Sequence, residues 1–282
     1  MRPSLALACL LLAGTAAPSA APPEPDPLLV RCKALASRGG EGFTAVPSPP
    51  FAVVGDERPE VVRGRAEHTV AWAVRLLKAE FFERDPSATI DIWLFKDEAS
   101  YMANTERLFG EVPDTPFGYY SPTAGALIMN IATGGGTLVH EIVHPYVEAN
   151  FPDCPVWFNE GLGSLYEACT EDEGRIRGVS NWRLPALQTA IRRGETLSFE
   201  DLTALTEDAF YGDDSGLYYA QARYLCQYLQ DQDSLRRYYR EFHAARATDP
   251  TGHGTLGKVL ATEDMAAFQV HWEAYVLGLE FR

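Results

Sequence analysis

The sequence predicts an α+β fold, in which a small mixed β-sheet lobe with helices precedes an all-α lobe. Two observations support this prediction. Short apolar runs typical of strands, such as "FAVVGD" and "TIDIWLF", occur before residue 136. From residue 137 onward, apolar residues recur almost entirely at helical spacing. At 282 residues, the chain can bury one large core or form two lobes that face each other across a cleft.

Turn residues and periodicity define the elements of the first lobe. Residues 22–50 are predicted to contain a proline-rich leader and a short helix over 28–37 that ends at two glycines. The lobe itself spans 51–136. Its predicted elements are strands at 51–56, 89–95, 117–120 and 125–132, the last two as a hairpin, and helices over 63–82 and 96–108.

The second lobe, 137–282, is predicted to be helical and to form a single domain, 51–282, together with the first. Its predicted helices cover 137–150, 155–167, 185–193, 217–230, 234–246 and 264–279. The chain shows no internal repeat. The segment "TLVHEIVHPYVEANFPDCPVWFNEGLGSLYE" begins at the junction of the two lobes and holds the most informative residues.

The composition excludes some classes of function. A formal net charge of −15 and a pI near 4.8 argue against nucleic-acid binding, which requires a basic surface. Residues 1–21 have the charged start, short apolar run and small-residue end of a signal peptide with an uncertain cleavage site. No later run is long and apolar enough to span a bilayer, so we expect no stable membrane anchor. We therefore expect an exported protein, periplasmic or secreted.

Four cysteines follow the predicted signal peptide: Cys32, Cys154, Cys169 and Cys226. An even number in an exported protein is compatible with disulfides. Cys154 and Cys169 flank a predicted helix of roughly 20 Å, whereas a disulfide requires Cα atoms within about 7 Å. The connectivity stays open, and free structural thiols are also compatible with the sequence.

The pattern His140-Glu141-x-x-His144 is typical of zinc hydrolases. Residues four apart lie on one face of a helix, so two imidazoles can bind one ion. Catalytic zinc keeps a position open for water, and Glu141 is close enough to accept the proton of that water. The alternative interpretation is a chance coincidence of two histidines and a glutamate on an amphipathic helix.

A third ligand would distinguish these interpretations, and Glu160 is the best candidate. Glu148 lies about 12 Å along the helix from His140, too far to share one ion. Asp153 would need a sharp turn of the chain. Residues 151–155, "FPDCP", break the helix, and a second helix that carries Glu160 can then run back past the first. The alternative is an exposed glutamate at a helix start, stabilised by the helix dipole.

"HEIVH", with "WFNEGL" placing a glutamate sixteen residues after His144, resembles the gluzincin metallopeptidases, particularly the peptidase-MA-like group. The resemblance implies a zincin-like fold with the active-site helix at the lobe junction. It also implies that Zn²⁺ is held by His140, His144 and Glu160, with Glu141 as the general base. The metzincin pattern HExxHxxGxxH does not fit, because position 147 is valine and position 150 is asparagine.

The same resemblance suggests a donor for the oxyanion. "LYYAQARYLCQYL" is similar to a helix of gluzincin aminopeptidases whose tyrosine matches Tyr219. The alternative is that these tyrosines only pack the helix. Tyr218 and Tyr211 are the next candidates for this role, and His253 in "TGHGT" is a weaker one.

Two further segments have a possible place in the cleft. "GALIMNIATGGG", 125–136, resembles the edge strand that gluzincins place beside zinc, where an extended peptide can add its backbone; its glycines can also be a simple turn. Arg183 in "NWRLP" either faces the cleft or packs at a helix start. The G-x-M-E-N element of the aminopeptidases is absent from the sequence, which argues against exopeptidase action.

Pro145 follows the second histidine directly and cannot donate a hydrogen bond to the carbonyl of Glu141. Within a helix this costs about 3 kcal/mol. We therefore predict that the helix bends or ends directly after His144.

Together these patterns predict an exported zinc endopeptidase that acts on a peptide or protein substrate. A binding or scaffold protein that keeps the fold without turnover is the alternative. The glutamate of the motif favours the enzyme, because a scaffold does not need a general base. A purely structural zinc site fits less well, since such sites usually have four ligands rich in cysteine.

Overall fold

The computed structural model describes residues 25–281, so the predicted signal peptide, 1–21, lies outside the described residues. The predicted α+β fold is confirmed, with a five-stranded mixed sheet in the first half and mostly helices in the second. The strands of the sheet are β1 (Thr44–Ser48), β2 (Phe51–Gly55), β3 (Ile90–Phe95), β4 (Gly118–Ser121) and β5 (Ala126–Asn130). Their order is β1-β2-β3-β5-β4; β2, β3 and β5 are parallel, and the edge strands β1 and β4 are antiparallel to their neighbours.

Strands β2, β3 and β5 are buried throughout, which explains why they are nearly continuous apolar runs. Alternate residues divide between the two faces of the sheet. Val53, Ile92 and Leu127 belong to the large core shared with the second half of the chain. On the opposite face, Val54 and Trp93 belong to a smaller core closed by the helices of the first half.

From residue 25 onward, the first half contains four α-helices: α1 (Pro27–Gly39), α2 (Pro59–Arg65), α3 (Trp72–Glu80) and α4 (Glu98–Phe109). A π-helical segment, Ala66–Ala71, joins α2 to α3, so the predicted long helix exists with a local widening. Strand β1, which pairs antiparallel with β2, is not among the strands that the sequence predicted. Pro47 obscures the strand pattern in the sequence. Proline is nevertheless tolerated here because β1 is an edge strand.

The second half contains nine α-helices within the described residues. They are α5 (Gly135–Asn150), α6 (Val156–Leu165), α7 (Leu184–Arg193), α8 (Phe199–Thr203), α9 (Glu207–Phe210), α10 (Ser215–Asp231), α11 (Leu235–Ala245), α12 (His253–Leu260) and α13 (Met265–Gly278). The predicted all-α lobe also holds a hairpin of β6 (Cys169–Asp172) and β7 (Arg175–Gly178), turned by Glu173 and Gly174, both with positive φ. Their strands are largely polar, so their pattern gave no apolar signal. None of the helices in residues 25–281 combines the length and apolar character needed to cross a bilayer.

Helix α5 continues through Pro145 to Asn150, so the predicted helix end near His144 is wrong. The bend stays a prediction. Tertiary contacts hold the second half of the helix despite the proline. Tyr146 is fully buried and donates its hydroxyl proton to Asp85. The side chain of Asn150 accepts hydrogen bonds from two backbone N–H groups after α3 and donates to two carbonyl groups. These contacts outweigh the lost hydrogen bond.

Helix α6 packs closely on α10, where Gly161 leaves room for the sulfur of Cys226 and the carbonyl of Ala222. A Cβ at Gly161 would lie 3.0 Å from that sulfur. All four cysteines of the described chain are free, so no disulfide joins α6 to its neighbours. The two helices are held by packing and by one buried guanidinium.

That guanidinium belongs to Arg223, which is completely buried in α10. It donates to the carbonyl oxygens of Ser164 and Val179 and to the side chain of Gln227. Loss of this donor would remove its hydrogen bonds within a buried region, at about 1–3 kcal/mol for each acceptor that is left unpaired. We expect Arg223→Met to lower the free energy of unfolding by about 3 kcal/mol, measured by urea denaturation. Arg192→Met, at an exposed position of α7, is the control and should change it by less than about 0.5 kcal/mol; equal effects would contradict the assigned role.

Candidate metal centre

Two helices bring together the three side chains that the sequence analysis proposed as ligands. His140 and His144 lie on α5, and Glu160 lies on α6. One carboxylate oxygen of Glu160, Oε2, is 3.1 Å from Nε2 of His140 and 3.8 Å from Nε2 of His144. One ligand atom from each residue lies within 4.8 Å of the others. This buried group can hold a metal ion.

Local sequence explains how this geometry arises. The i, i+4 spacing places both imidazoles on one face of α5. The break at 151–155 ends that helix at Asn150, and α6 begins at Val156 and packs beside it. Gly163 permits the close approach of the two helices, because a Cβ there would lie 3.0 Å from Nε2 of His140. The glycines of "NEGLG" are therefore part of the site's construction.

The other ring nitrogen of each histidine faces an oxygen. Nδ1 of His144 lies 3.0 Å from Oδ1 of Asn159. Nδ1 of His140 lies 3.3 Å from Oε1 of Glu167, a polar contact rather than a well-aligned hydrogen bond. Oxygen acceptors at this position fix the tautomer that directs Nε2 toward a metal ion. Sequence reasoning missed Asn159 and Glu167, although Asn159 directly precedes the proposed ligand Glu160.

Glu167 is itself held by a polar network. Arg183 donates two hydrogen bonds to its carboxylate, at 2.8 and 3.0 Å, and Asn181 donates a third at 3.1 Å. Burial raises the pKa of Glu167, but the contacts with His140 and Arg183 outweigh burial and lower this pKa to about 2. Arg183 therefore combines the two predicted alternatives, since it precedes α7 directly and also lines the cleft.

Glu141 is buried beside the three candidate ligands. One of its oxygens, Oε2, lies 3.9 Å from Nε2 of His144. Burial raises the pKa of Glu141, although both histidines oppose the rise and the backbone N–H of Tyr120 donates to the carboxylate. A carboxylate with a raised pKa is a better proton acceptor than an exposed one.

The charges at the site favour a cation. Burial raises the pKa of Glu160, but His144, His140 and Tyr211 outweigh it and lower the pKa to about 2. Burial lowers the pKa of His140, yet contacts with Glu160 and Glu167 outweigh that effect and hold the pKa well above its usual value. Several carboxylates thus surround one imidazole in a region with little water, so a positive charge there is stabilised.

The structure separates the tyrosine candidates. Tyr211 donates its hydroxyl proton to Oε1 of Glu160 at 2.6 Å. The ring of Tyr219 lies 6.4 Å from the ring of His140 and lines the cleft. Tyr218 does not line the cleft in the described chain. His253, predicted in a loop, begins α12 and lines a different pocket.

The site lies in the middle of an open cleft formed by two adjoining cavities of about 890 and 730 Å³. His140 and Glu141 line both cavities. The strand beside them is β4, which forms the free edge of the sheet, whereas β5 lies between β3 and β4. The prediction that 125–136 supplies the edge strand is therefore wrong, because β4 pairs with β5 and covers its edge.

No protein-family model matches this chain, and a comparison with curated proteins finds no significant match.

Proposed function

We propose that the protein is an exported zinc endopeptidase. One observation carries the proposal: the buried carboxylate of Glu141 lies against a His140–His144–Glu160 set in an open cleft. A purely structural metal site would need neither a carboxylate beside the ligands that does not itself bind the ion nor access for a substrate. The resemblance of "HEIVH" and "WFNEGL" to the gluzincins supports the same function.

The residues present fit zinc. Two imidazole nitrogens and one carboxylate oxygen are the protein ligands of many catalytic zinc sites, in which a fourth position stays open. The oxygen acceptors at both Nδ1 atoms support this assignment, since ligating histidines almost always donate their second N–H group. In contrast, magnesium and calcium prefer sites made of oxygen ligands.

The zinc ion would supply Lewis acidity that polarises the scissile carbonyl group and the attacking water. Glu141 would accept a proton from this water and deliver it to the amine that leaves. Tyr219 would donate a hydrogen bond to the carbonyl oxygen as it becomes an oxyanion. The edge of β4 would bind the substrate backbone as an added strand.

The shape of the cleft supports endopeptidase action. Glu141 lies where the two cavities meet, so a peptide could extend past it in both directions. Trp182 and Ser215 line one side, and Glu148 and Pro152 line the other. The absence of a G-x-M-E-N element agrees with this geometry, since that element grips a free amino group in the aminopeptidases.

Metal analysis combined with digestion of a peptide library tests this function. We expect about one zinc per chain and cleavage at internal bonds that stops when a chelator removes the metal and returns when zinc is restored. Zinc without cleavage would favour the catalytically silent scaffold instead. A chain that binds no zinc would exclude the proposed centre.

Tyr219→Phe should lower the turnover number for peptide cleavage by about 10²-fold while zinc content stays unchanged. The hydroxyl is lost but the ring remains in its contacts with Phe210 and Tyr211. Steady-state kinetics with a fluorogenic peptide would measure the change, and Tyr218→Phe provides the matched control on the same helix. Equal turnover in both variants would exclude Tyr219 as the donor.

A further inference from the structure

Tyr211, one of the further sequence candidates for the oxyanion donor, contacts the proposed ligand Glu160 instead. It follows the short helix α9, whose last residue, Phe210, is completely buried and fixes the start of the next turn. The Tyr211 ring packs against Phe210 at 5.7 Å and against Tyr219 at 6.4 Å, measured between ring centroids. About half of the residue, 52%, is exposed in the cleft. A buried anchor and an aromatic neighbour thus hold an otherwise exposed side chain in one place.

The two carboxylate oxygens of Glu160 have different partners, because the hydroxyl of Tyr211 contacts only one of them. It donates to Oε1 at 2.6 Å, whereas Oε2 is the oxygen that faces both Nε2 atoms. Hydrogen bonds from a hydroxyl to a carboxylate at this distance are among the strong ones in proteins. Since Glu160 is almost completely buried, little water is available to replace this donor.

We propose that Tyr211 is a positioning residue that makes Glu160 a one-oxygen ligand of the metal ion. This inference rests on the proposed zinc centre. A carboxylate can bind a metal ion through one oxygen or through both. With Oε1 held by Tyr211, only Oε2 is free for the ion, and the carboxylate is already oriented before the ion arrives. The coordination position that Oε1 would otherwise occupy stays available for water and substrate.

This role also separates Tyr211 from Tyr219. Tyr211 acts through Glu160, whereas Tyr219 is proposed to act on the substrate. The 2.6 Å hydrogen bond to Oε1 of Glu160 belongs to Tyr211, which makes Tyr211 the primary partner of the ligand carboxylate.

The test compares Tyr211→Phe with Tyr218→Phe in the full chain. Tyr218 belongs to the same aromatic cluster, at 6.2 Å from Phe210, but it does not line the cleft within the described residues. Zinc affinity would be measured by competition with a chromophoric chelator. The visible absorption of the Co²⁺-loaded proteins reports coordination, because its intensity falls as the coordination number rises above four. Thermal unfolding of the metal-free proteins controls for folding.

We expect Tyr211→Phe to weaken zinc binding by about 10- to 100-fold and to lower the Co²⁺ absorption, as Oε1 becomes free to bind the ion. Tyr218→Phe should match the parent in both measurements, and both metal-free variants should stay folded at the temperature of the zinc titration, although Tyr211→Phe loses the stability that its hydrogen bond to Glu160 contributes. A Tyr211→Phe protein with the zinc affinity and Co²⁺ spectrum of the parent would overturn this inference and leave the zinc centre intact. A parent that binds neither metal would overturn the centre and this inference together.

Discussion

Replacement of Glu141 by glutamine is expected to lower peptide hydrolysis by about 10²- to 10⁴-fold while zinc stays bound. The amide has nearly the same size as the carboxylate, and its oxygen can still accept the hydrogen bond from the Tyr120 backbone. It cannot accept a proton from the attacking water. The turnover number would be measured with a fluorogenic peptide, and metal content would be measured in the same samples.

The control for this substitution is Glu80→Gln. Glu80 is also buried, but its carboxylate binds Arg175 outside the cleft. Its replacement tests whether loss of a buried carboxylate alone lowers activity through folding. We expect parental turnover per folded molecule for Glu80→Gln. Parental turnover of Glu141→Gln would exclude Glu141 as the general base, and loss of its zinc would reveal a ligand role instead.

Much of the site follows from local sequence because its main determinants are local. Helical periodicity alone places His140 and His144 on one face. The helix break at 151–155 makes it possible for Glu160 to return to the same place. Glu167, in contrast, lies in the turn after α6 and is held near His140 by its hydrogen bonds from Arg183. Such contacts depend on tertiary packing, which no spacing in the sequence specifies.

The fold shows the same division between local and distant causes. Buried strands β2, β3 and β5 were predictable because both of their faces require apolar residues. Their order was not, so β5 was assigned the edge position that β4 occupies. Pro145 illustrates the opposite error. Its local cost predicted a bend or an end of the helix, and the end does not occur because the buried contacts of Tyr146 and Asn150 keep the chain helical.

The same substitution at two neighbouring carboxylates should distinguish a ligand from the residue that orients a ligand. We expect Glu160→Gln to lose zinc during gel filtration, because a neutral amide is a poor replacement for the carboxylate that faces both Nε2 atoms. Glu167→Gln should weaken zinc binding only by about 10- to 100-fold, since its amide oxygen can still accept a hydrogen bond from Nδ1 of His140. Chelator competition would give both affinities.

The variant with the larger decrease in zinc affinity identifies the residue that binds the ion. Glu160 is buried, the Glu167 side chain is only 13% exposed, and both groups have a pKa lowered to about 2, so a general effect of removing charge would weaken zinc binding to a similar extent. A larger loss at Glu160 requires that this residue binds the ion directly. A larger loss at Glu167 would instead make Glu167 the third ligand and would place the ion on the Nδ1 side of His140. Unfolding of the metal-free variants, compared with the parent, would show that the difference lies in metal binding and not in folding.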